Sequence, residues 1–270
     1  EREAFQEIDY RRMYCQLANW LAEIDDPTRL QEYVSRAFRT ALSGRPGPVV
    51  LSLPEDMLYD QFAQPIPPAK AETPRFLPAA SQMDDLRSRI ANAQHPLILA
   101  GGGGWTETGI AALQSFAETQ GLPVAVSLRC QGLMNNEHPN YVGHFGIGPT
   151  PYLAEALNQT DLLIAIGPRL GEMTTGGYTL LEPPVPHVDL VHVFPSGEEL
   201  GRVYEPALPL VSDTESFCRK LSDWTPIDTA HNTAAQKLRG IPCAQIRRRR
   251  PRRTNVRASG RNPACRYDNV

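Results

Sequence analysis

Four consecutive glycines, Gly101 to Gly104, follow the apolar run Leu97-Ile98-Leu99-Ala100 and precede a stretch with helical spacing. Glycine lets a backbone approach a phosphate closely, and the free N–H groups and positive dipole end of a following helix hold an anion. Gly101, Gly102 and Gly103 are therefore candidate nucleotide-contacting residues. The spacing is not a GxGxxG fingerprint, and no acid ends the next apolar run to hold a ribose. A plain strand-to-helix turn is the competing reading. Arg169 follows Gly167-Pro168 at a place where a doubly wound sheet binds ligands, and it could grip a phosphate or simply face solvent. A second cluster, Gly143-His144-Phe145-Gly146-Ile147-Gly148, offers His144 to a ligand, to a neighbouring subunit or to a structural hydrogen bond.

Other chemistry is sparse. His138, His187 and His192 have no regular metal spacing with acids or cysteines, so no metal site is expected. The cysteines Cys15, Cys130, Cys218, Cys243 and Cys265 include no CxxC pair, which points to free thiols in a reducing cytoplasm. Asp25 and Asp26 precede Pro27 and suit helix capping. No Ser-His-Asp signature and no Walker loop is present.

The elements that must position these residues alternate. From residue 81 to 222 the pattern predicts a helix from Ser81 to Ala93 and a strand over Pro96–Ala100. A helix follows over Thr106–Gln120, then a strand over Pro123–Val126, a helix over Pro151–Asn158 and a strand over Asp161–Ile166. Strands over Val188–Val193 and Ala207–Val211 come next, and Asp213 caps a closing helix. Short, uniformly apolar strands between helices imply an α/β fold, a doubly wound and mainly parallel sheet of five or six strands covered on both faces. Residues 1–60 read as a partial α/β domain, with a helix over Thr28–Leu42 and a core strand, Val49–Leu53, that lacks neighbours. Five prolines between 61 and 80 make a stiff linker. Past 222 the grammar is lost, and 223–270 reads as a basic, disordered tail.

Charge divides the chain the same way. Residues 231–270 hold eleven Lys and Arg against the single Asp268, so an overall charge of -3 conceals an acidic body and a cationic tail. No apolar run reaches the roughly 18 residues of a membrane helix. The opening Glu1-Arg2-Glu3-Ala4-Phe5 has no initiator Met and no signal core, and reads as the middle of a longer cytoplasmic protein.

Several phrases together resemble one family. Ala4-Phe5-Gln6-Glu7, Ser43-Gly44-Arg45-Pro46-Gly47-Pro48-Val49 and Leu53-Pro54-Glu55-Asp56 are similar to the end of the pyrimidine-binding domain of thiamine-diphosphate-dependent enzymes of the acetolactate synthase kind. His95-Pro96 to Gly103, Gly121-Leu122-Pro123-Val124, His138-Pro139-Asn140-Tyr141-Val142-Gly143, and Asp161 to Gly167 with Arg169 resemble the central domain of the same enzymes. The resemblance covers residues 1–222. It implies decarboxylation of a 2-oxo acid and joining of the carbanion to an acceptor, with thiamine diphosphate as electron sink, magnesium, and homo-oligomeric assembly. It places Phe5 and Gln6 beside a substrate channel.

The family's activating glutamate would lie upstream of Glu1, and its GDG magnesium-diphosphate motif is not in this sequence, so the resemblance implies a fragment that is inactive alone. Two departures stand out. Asn19 replaces a lysine that relatives place near the channel, and Val191-His192-Val193-Phe194-Pro195 replaces a stretch that often carries two aspartates. They point away from acetolactate synthase itself and from its FAD, toward a paralogue with another 2-oxo acid or acyl-group substrate. Two alternatives remain from the residues. One is a stand-alone FAD- or NAD-binding domain. The other is nucleic-acid binding through the arginine run, although no aromatic interleaving supports specific recognition.

Overall fold

The computed structural model describes residue 5, residues 8–61 and residues 70–228. The arginine-rich stretch, Gln6 and residues 62–69 of the proline linker lie outside the described residues.

Within residues 8–61 a short helix α1 (Tyr10–Tyr14) leads to strand β1 (Trp20–Glu23), helix α2 (Leu30–Leu42) and strand β2 (Val49–Ser52). β1 and β2 pair in parallel, Trp20 opposite Val49 and Glu23 opposite Ser52. The strand expected to lack neighbours therefore has one. The sequence reading missed β1 because Trp20-Leu21-Ala22-Glu23 is only four residues long and follows directly on a polar-apolar stretch with helical character. On α2, Ala37 is buried and Trp20 stacks on Tyr33 at 6.1 Å, with the Arg36 guanidinium 4.5 Å over the Trp20 ring. Phe38, expected on the apolar face, is 61% exposed.

The larger unit begins with helix α3 (Ala80–Asn92) and strand β3 (Pro96–Ala100), followed by helix α4 (Glu107–Gln120) and strand β4 (Val124–Val126). Then come β5 (Tyr141–His144), α5 (Pro151–Asn158), β6 (Leu162–Ile166), β7 (Asp189–Phe194), β8 (Leu208–Val211) and α6 (Thr214–Ser222). The six strands form one parallel sheet in the order β5-β4-β3-β6-β7-β8. This is a doubly wound arrangement whose strand order reverses direction between β3 and β6. Gly143 and His144, taken from sequence as the start of a glycine-rich loop, belong instead to strand β5. Its pairing with β4 shifts register between Val124 and Ala125, and its mixed polarity hides it from a search for apolar runs.

Alternation along each strand makes two cores. Ile98, Ala100, Val124, Val126, Ile164, Ile166, Val191 and Val193 face α3, α4 and α6, where Leu86, Ile90, Phe116 and Phe217 fill the space. Leu97, Leu99, Ala125, Leu163, Ala165 and Leu190 face α5 and the segment after β6, through Leu153, Leu157, Leu170 and Leu181. Helix ends follow their local chemistry. Thr106 caps α4 by accepting from Gly109 N, and Gly121 ends it at φ +66°. Asp213 caps α6 as expected. Ser81 does not cap α3. The helix starts at Ala80, and the Gln82 side chain reaches back to accept from the Ala79 N–H at 3.0 Å. Packing also continues beyond Ser222. Ile227 is buried, Trp224 meets Phe116 edge-on at 6.0 Å, and the buried Gln120 amide donates to Thr225 O and accepts from Ile227 N.

Candidate functional site

The glycine run closes the carboxyl end of β3 at the switch point, where an open α/β sheet has its crevice. Its backbone is drawn into the protein. A Cβ at Gly101 would lie 2.7 Å from Ser127 Cβ, and one at Gly102, where φ is +71°, would run into the Gly167 carbonyl, 2.8 Å from its carbon. Gly167 in turn packs on Gly101 O and on Thr214. Gly101 O accepts from Trp105 Nε1 at 2.7 Å, and Gly104 O from the Thr214 hydroxyl at 3.1 Å. Two of the candidate glycines are thus explained by the crossing of the β3 and β6 loops. Gly103 alone faces open space. The start of α4 is acidic: Glu107 lies in its first turn and the Thr106 hydroxyl donates to Glu215 at 3.0 Å. That is a poor setting for a phosphate.

Arg169 leaves this crevice and enters a cavity of about 190 Å3 at the carboxyl ends of β6 and β7. Its walls include Tyr178, His192, Glu199, Arg202 and Tyr204. Arg169 Nε donates to Glu199 Oε1 at 3.4 Å, and Arg202 pairs with the other carboxylate oxygen at 3.6 Å. Tyr204 is buried and donates its hydroxyl to Leu181 O at 3.0 Å. His192 is 3% exposed, on the same face of β7 as Leu190. Its Nε2 lies 2.9 Å from Pro168 O, and a carbonyl can only accept, so Nε2 carries the proton. Burial pushes the imidazole pKa below its ordinary value, which outweighs the Pro168 carbonyl and the nearby Glu199 carboxylate and keeps the ring neutral at pH 7. The sequence reading placed Arg169 here but missed Glu199 and Arg202. The signal available was His192 itself, a single polar residue in the apolar strand Leu190 to Phe194.

The other candidates resolve locally. His138 bonds Glu118 at 2.7 Å through Nε2 and accepts from Asn140 N at 3.1 Å through Nδ1, and His187 lies 3.3 Å from Leu157 O. His144 ends β5, half-buried opposite Val126. Asn140, inside one of the family phrases, is 2% exposed and donates to Ala117 O and Leu122 O, so it pins the end of α4 to the sheet. Asp161 accepts from Gln94 N and His95 N at 2.6 and 2.8 Å and so fixes the α3–β3 turn. Asn19, at the channel-lysine position, donates to Arg45 O at 3.1 Å and packs against Gly47, where a Cβ would meet its Nδ2 at 2.5 Å. Asp26 caps the turn at Thr28. Phe5 is 92% exposed and Gln6 lies outside the described residues. Cys15, Cys130 and Cys218 are free thiols, and burial pushes the Cys218 thiol up, away from thiolate reactivity.

The description "thiamine pyrophosphate enzyme, central domain" matches residues 83–221, the span from α3 to the end of α6. The chain belongs to this family. Among curated proteins, the acetolactate synthase large subunit of Corynebacterium glutamicum is 28% identical over 232 residues, 84% of this chain and 36% of that protein. The probable acetolactate synthase large subunit of Methanocaldococcus jannaschii is 31% identical over 226 residues, 81% of this chain and 38% of the relative. The isozyme 1 large subunit of Escherichia coli is 28% identical over 250 residues, 89% and 43% respectively. The chain thus spans well under half the length of these relatives.

Family membership brings thiamine diphosphate with it. The donor set among the described residues does not fit the magnesium-diphosphate end of that cofactor. Among the described residues no group of three His, Cys, Asp or Glu side chains is placed to hold a metal ion. A flavin dinucleotide fits no better. The crevice base is filled by the Gly102–Gly167 contact, its helix start is acidic, and the Arg169 cavity is smaller than the roughly 300–1,000 Å3 of sites for drug-sized ligands. Nor is any helix among the described residues long and apolar enough to cross a membrane.

Proposed function

We propose that this chain supplies the central domain, and part of the preceding pyrimidine-binding domain, of a cytoplasmic thiamine-diphosphate- and magnesium-dependent enzyme that decarboxylates a 2-oxo acid and transfers the resulting carbanion to an acceptor. In this reading it assembles as a homo-oligomer like the enzymes it resembles, and the chain by itself is catalytically silent. The observation that carries the reading is the match of residues 83–221 to the family's central domain, on a doubly wound sheet whose glycine-rich switch point is used for packing. A scaffold role follows from that packing. The β3 and β6 loops are tied to Ser127 and Thr214, and His138 and Asn140 close the α4–β4 corner. These contacts hold a rigid body on which other domains can dock, while the chemistry belongs to the cofactor and the groups that clamp it.

A nucleotide-binding domain acting alone is less well supported, because the glycines of the loop are accounted for by backbone crossings. The nucleic-acid reading rests on residues 231–270, outside the described residues.

Two assays test the proposal. Carbon dioxide release from pyruvate and other 2-oxo acids by the purified chain, with thiamine diphosphate and magnesium, is expected to equal a heat-killed control. Cofactor-dependent turnover above that control would overturn the silent-scaffold reading. In the second assay, residues 81–222 replace the matching domain of the C. glutamicum large subunit. Retained cofactor-dependent turnover of a 2-oxo acid supports the reading. A folded chimera that shows none sinks it.

A further inference from the structure

The cavity around Arg169 has chemistry that a scaffold does not need. Two guanidinium groups lean on one carboxylate, Glu199, whose side chain is only 10% exposed. The two contacts, 3.4 and 3.6 Å, are long beside the roughly 2.7–2.9 Å of well-formed charge-assisted hydrogen bonds. One carboxylate therefore leaves most of the N–H donors of two arginines unused. With His192 neutral, the cavity carries one net positive charge, which suits a monoanion. The planar fork of arginine suits a carboxylate in particular.

His192 adds a second requirement. Its Nε2–H is committed to Pro168 O, so Nδ1 is an acceptor. Among the described residues Nδ1 has no hydrogen-bond partner, on a ring that is 3% exposed and forms part of the cavity wall. A buried acceptor needs a donor, and a ligand can bring one. The volume of about 190 Å3 restricts that ligand to a few heavy atoms.

We propose that this cavity binds a small 2-hydroxy carboxylate. Arg169 and Arg202 hold the carboxylate, and the hydroxyl on the adjacent carbon donates to His192 Nδ1. The same geometry disfavours the corresponding 2-oxo acid, whose carbonyl oxygen would set a lone pair against the lone pair of Nδ1. Tyr178, which holds a left-handed φ of +63°, and the buried Tyr204 supply aromatic wall against the ligand's carbon skeleton. The site lies at the carboxyl ends of β6 and β7 and is independent of whether the wider protein acts on 2-oxo acids.

Isothermal titration calorimetry on the purified chain tests this, with L-lactate, D-lactate, pyruvate and FAD as separate probes. One lactate enantiomer should bind in the millimolar range, with pyruvate weaker by at least about tenfold for want of the donor. Arg169→Gln and Arg202→Gln should each weaken lactate by about tenfold, with far-UV circular dichroism unchanged. The two side chains are 43% and 58% exposed, so the second variant keeps the test open if the first folds poorly. No heat from either lactate at tens of millimolar would overturn the proposal, as would pyruvate binding equal to lactate. FAD binding that disappears in Arg169→Gln would also overturn it, because the cavity would then belong to a dinucleotide site. Carbon dioxide release is not read in this experiment, so its outcome is separable from that of the reaction assigned above.

Discussion

Glycines 101 to 104 show how one residue type serves different ends at neighbouring positions. Gly102 is held at φ +71° with its α-carbon against the Gly167 carbonyl, whereas a Cβ at Gly103 meets nothing within 4 Å. A left-handed backbone costs an L-residue roughly 1–2 kcal/mol, and the steric clash adds to that. Gly102→Ala is expected to destabilise the protein by more than about 2 kcal/mol in urea denaturation, and Gly103→Ala by less than about 0.5 kcal/mol. Equal effects would show that the loop is held by something other than the β3–β6 crossing. Both outcomes are legible only in three dimensions, because the four residues are identical in sequence. Asn19 makes the same point. Its type departs from the family's lysine, and the structure gives the asparagine a local task, closing the Arg45-Pro46-Gly47 turn onto β1.

At the level of elements, the last helix does not end the packed body. Trp224 lies edge-on to Phe116 and under the Arg87 guanidinium at 5.5 Å, Ile227 joins the core on the α4 side, and the Gln120 amide bonds to residues 225 and 227. Truncation after Ser222 strips the Ile227 and Trp224 burial, about 1.5–3 kcal/mol for a fully buried apolar side chain. It also leaves a buried amide without partners, at a further cost of about 1–3 kcal/mol. A chain ending at Asp228 should therefore melt well above one ending at Ser222, by roughly 5–15 °C in calorimetry. Coincident melting curves would mean that residues 223–228 contribute nothing. The sequence pattern ended the fold at 222 because Trp224-Thr225-Pro226-Ile227 has no helical or strand period. Its two apolar residues dock singly, and single contacts leave no periodic trace.

Across the whole larger unit, one ion cluster joins distant segments. Asp213 accepts from Arg75 at 2.9 Å, from Phe76 N at 3.1 Å and from Ser216 N at 2.9 Å, while Arg75 also pairs with Glu215 at 3.1 Å. Burial alone would raise the Asp213 carboxyl, but the hydrogen bonds from Ser216, Arg75 and Phe76 outweigh it and hold the pKa below the ordinary carboxylate range. A depressed folded pKa contributes stability that is fully present above the unfolded value, about 3.9, and is lost as pH falls through the folded value. Asp213→Asn should lower the melting temperature at pH 7. The gap from the native chain should narrow as pH falls below about 4. A gap that stays constant from pH 7 to pH 3 would show that the carboxylate charge is not what binds the segment at Arg75 to α6.

The sequence by itself determined the α/β class and the positions of β3, β4 and β6, because a strand buried on both faces must be continuously apolar and such runs are visible one residue at a time. β7 and β8 were legible as short apolar runs as well, although His192 interrupts the first and alternate residues of the second are exposed. It also determined the family, through phrases that can be read residue by residue. What those residues do was not legible: Asp161 fixes the α3–β3 turn from 67 residues away, and Asn140 reaches Ala117 O across 23 residues. Tertiary structure alone decided the rest. β1 and β5 are four-residue strands, each carrying a polar residue, that exist because a partner strand completes their hydrogen bonds. The Arg169 cavity draws on residues 169, 178, 192, 199, 202 and 204, set on separate loops and a strand. Their meeting depends on the order in which β6, β7 and β8 lie side by side, and no spacing along the chain encodes that order.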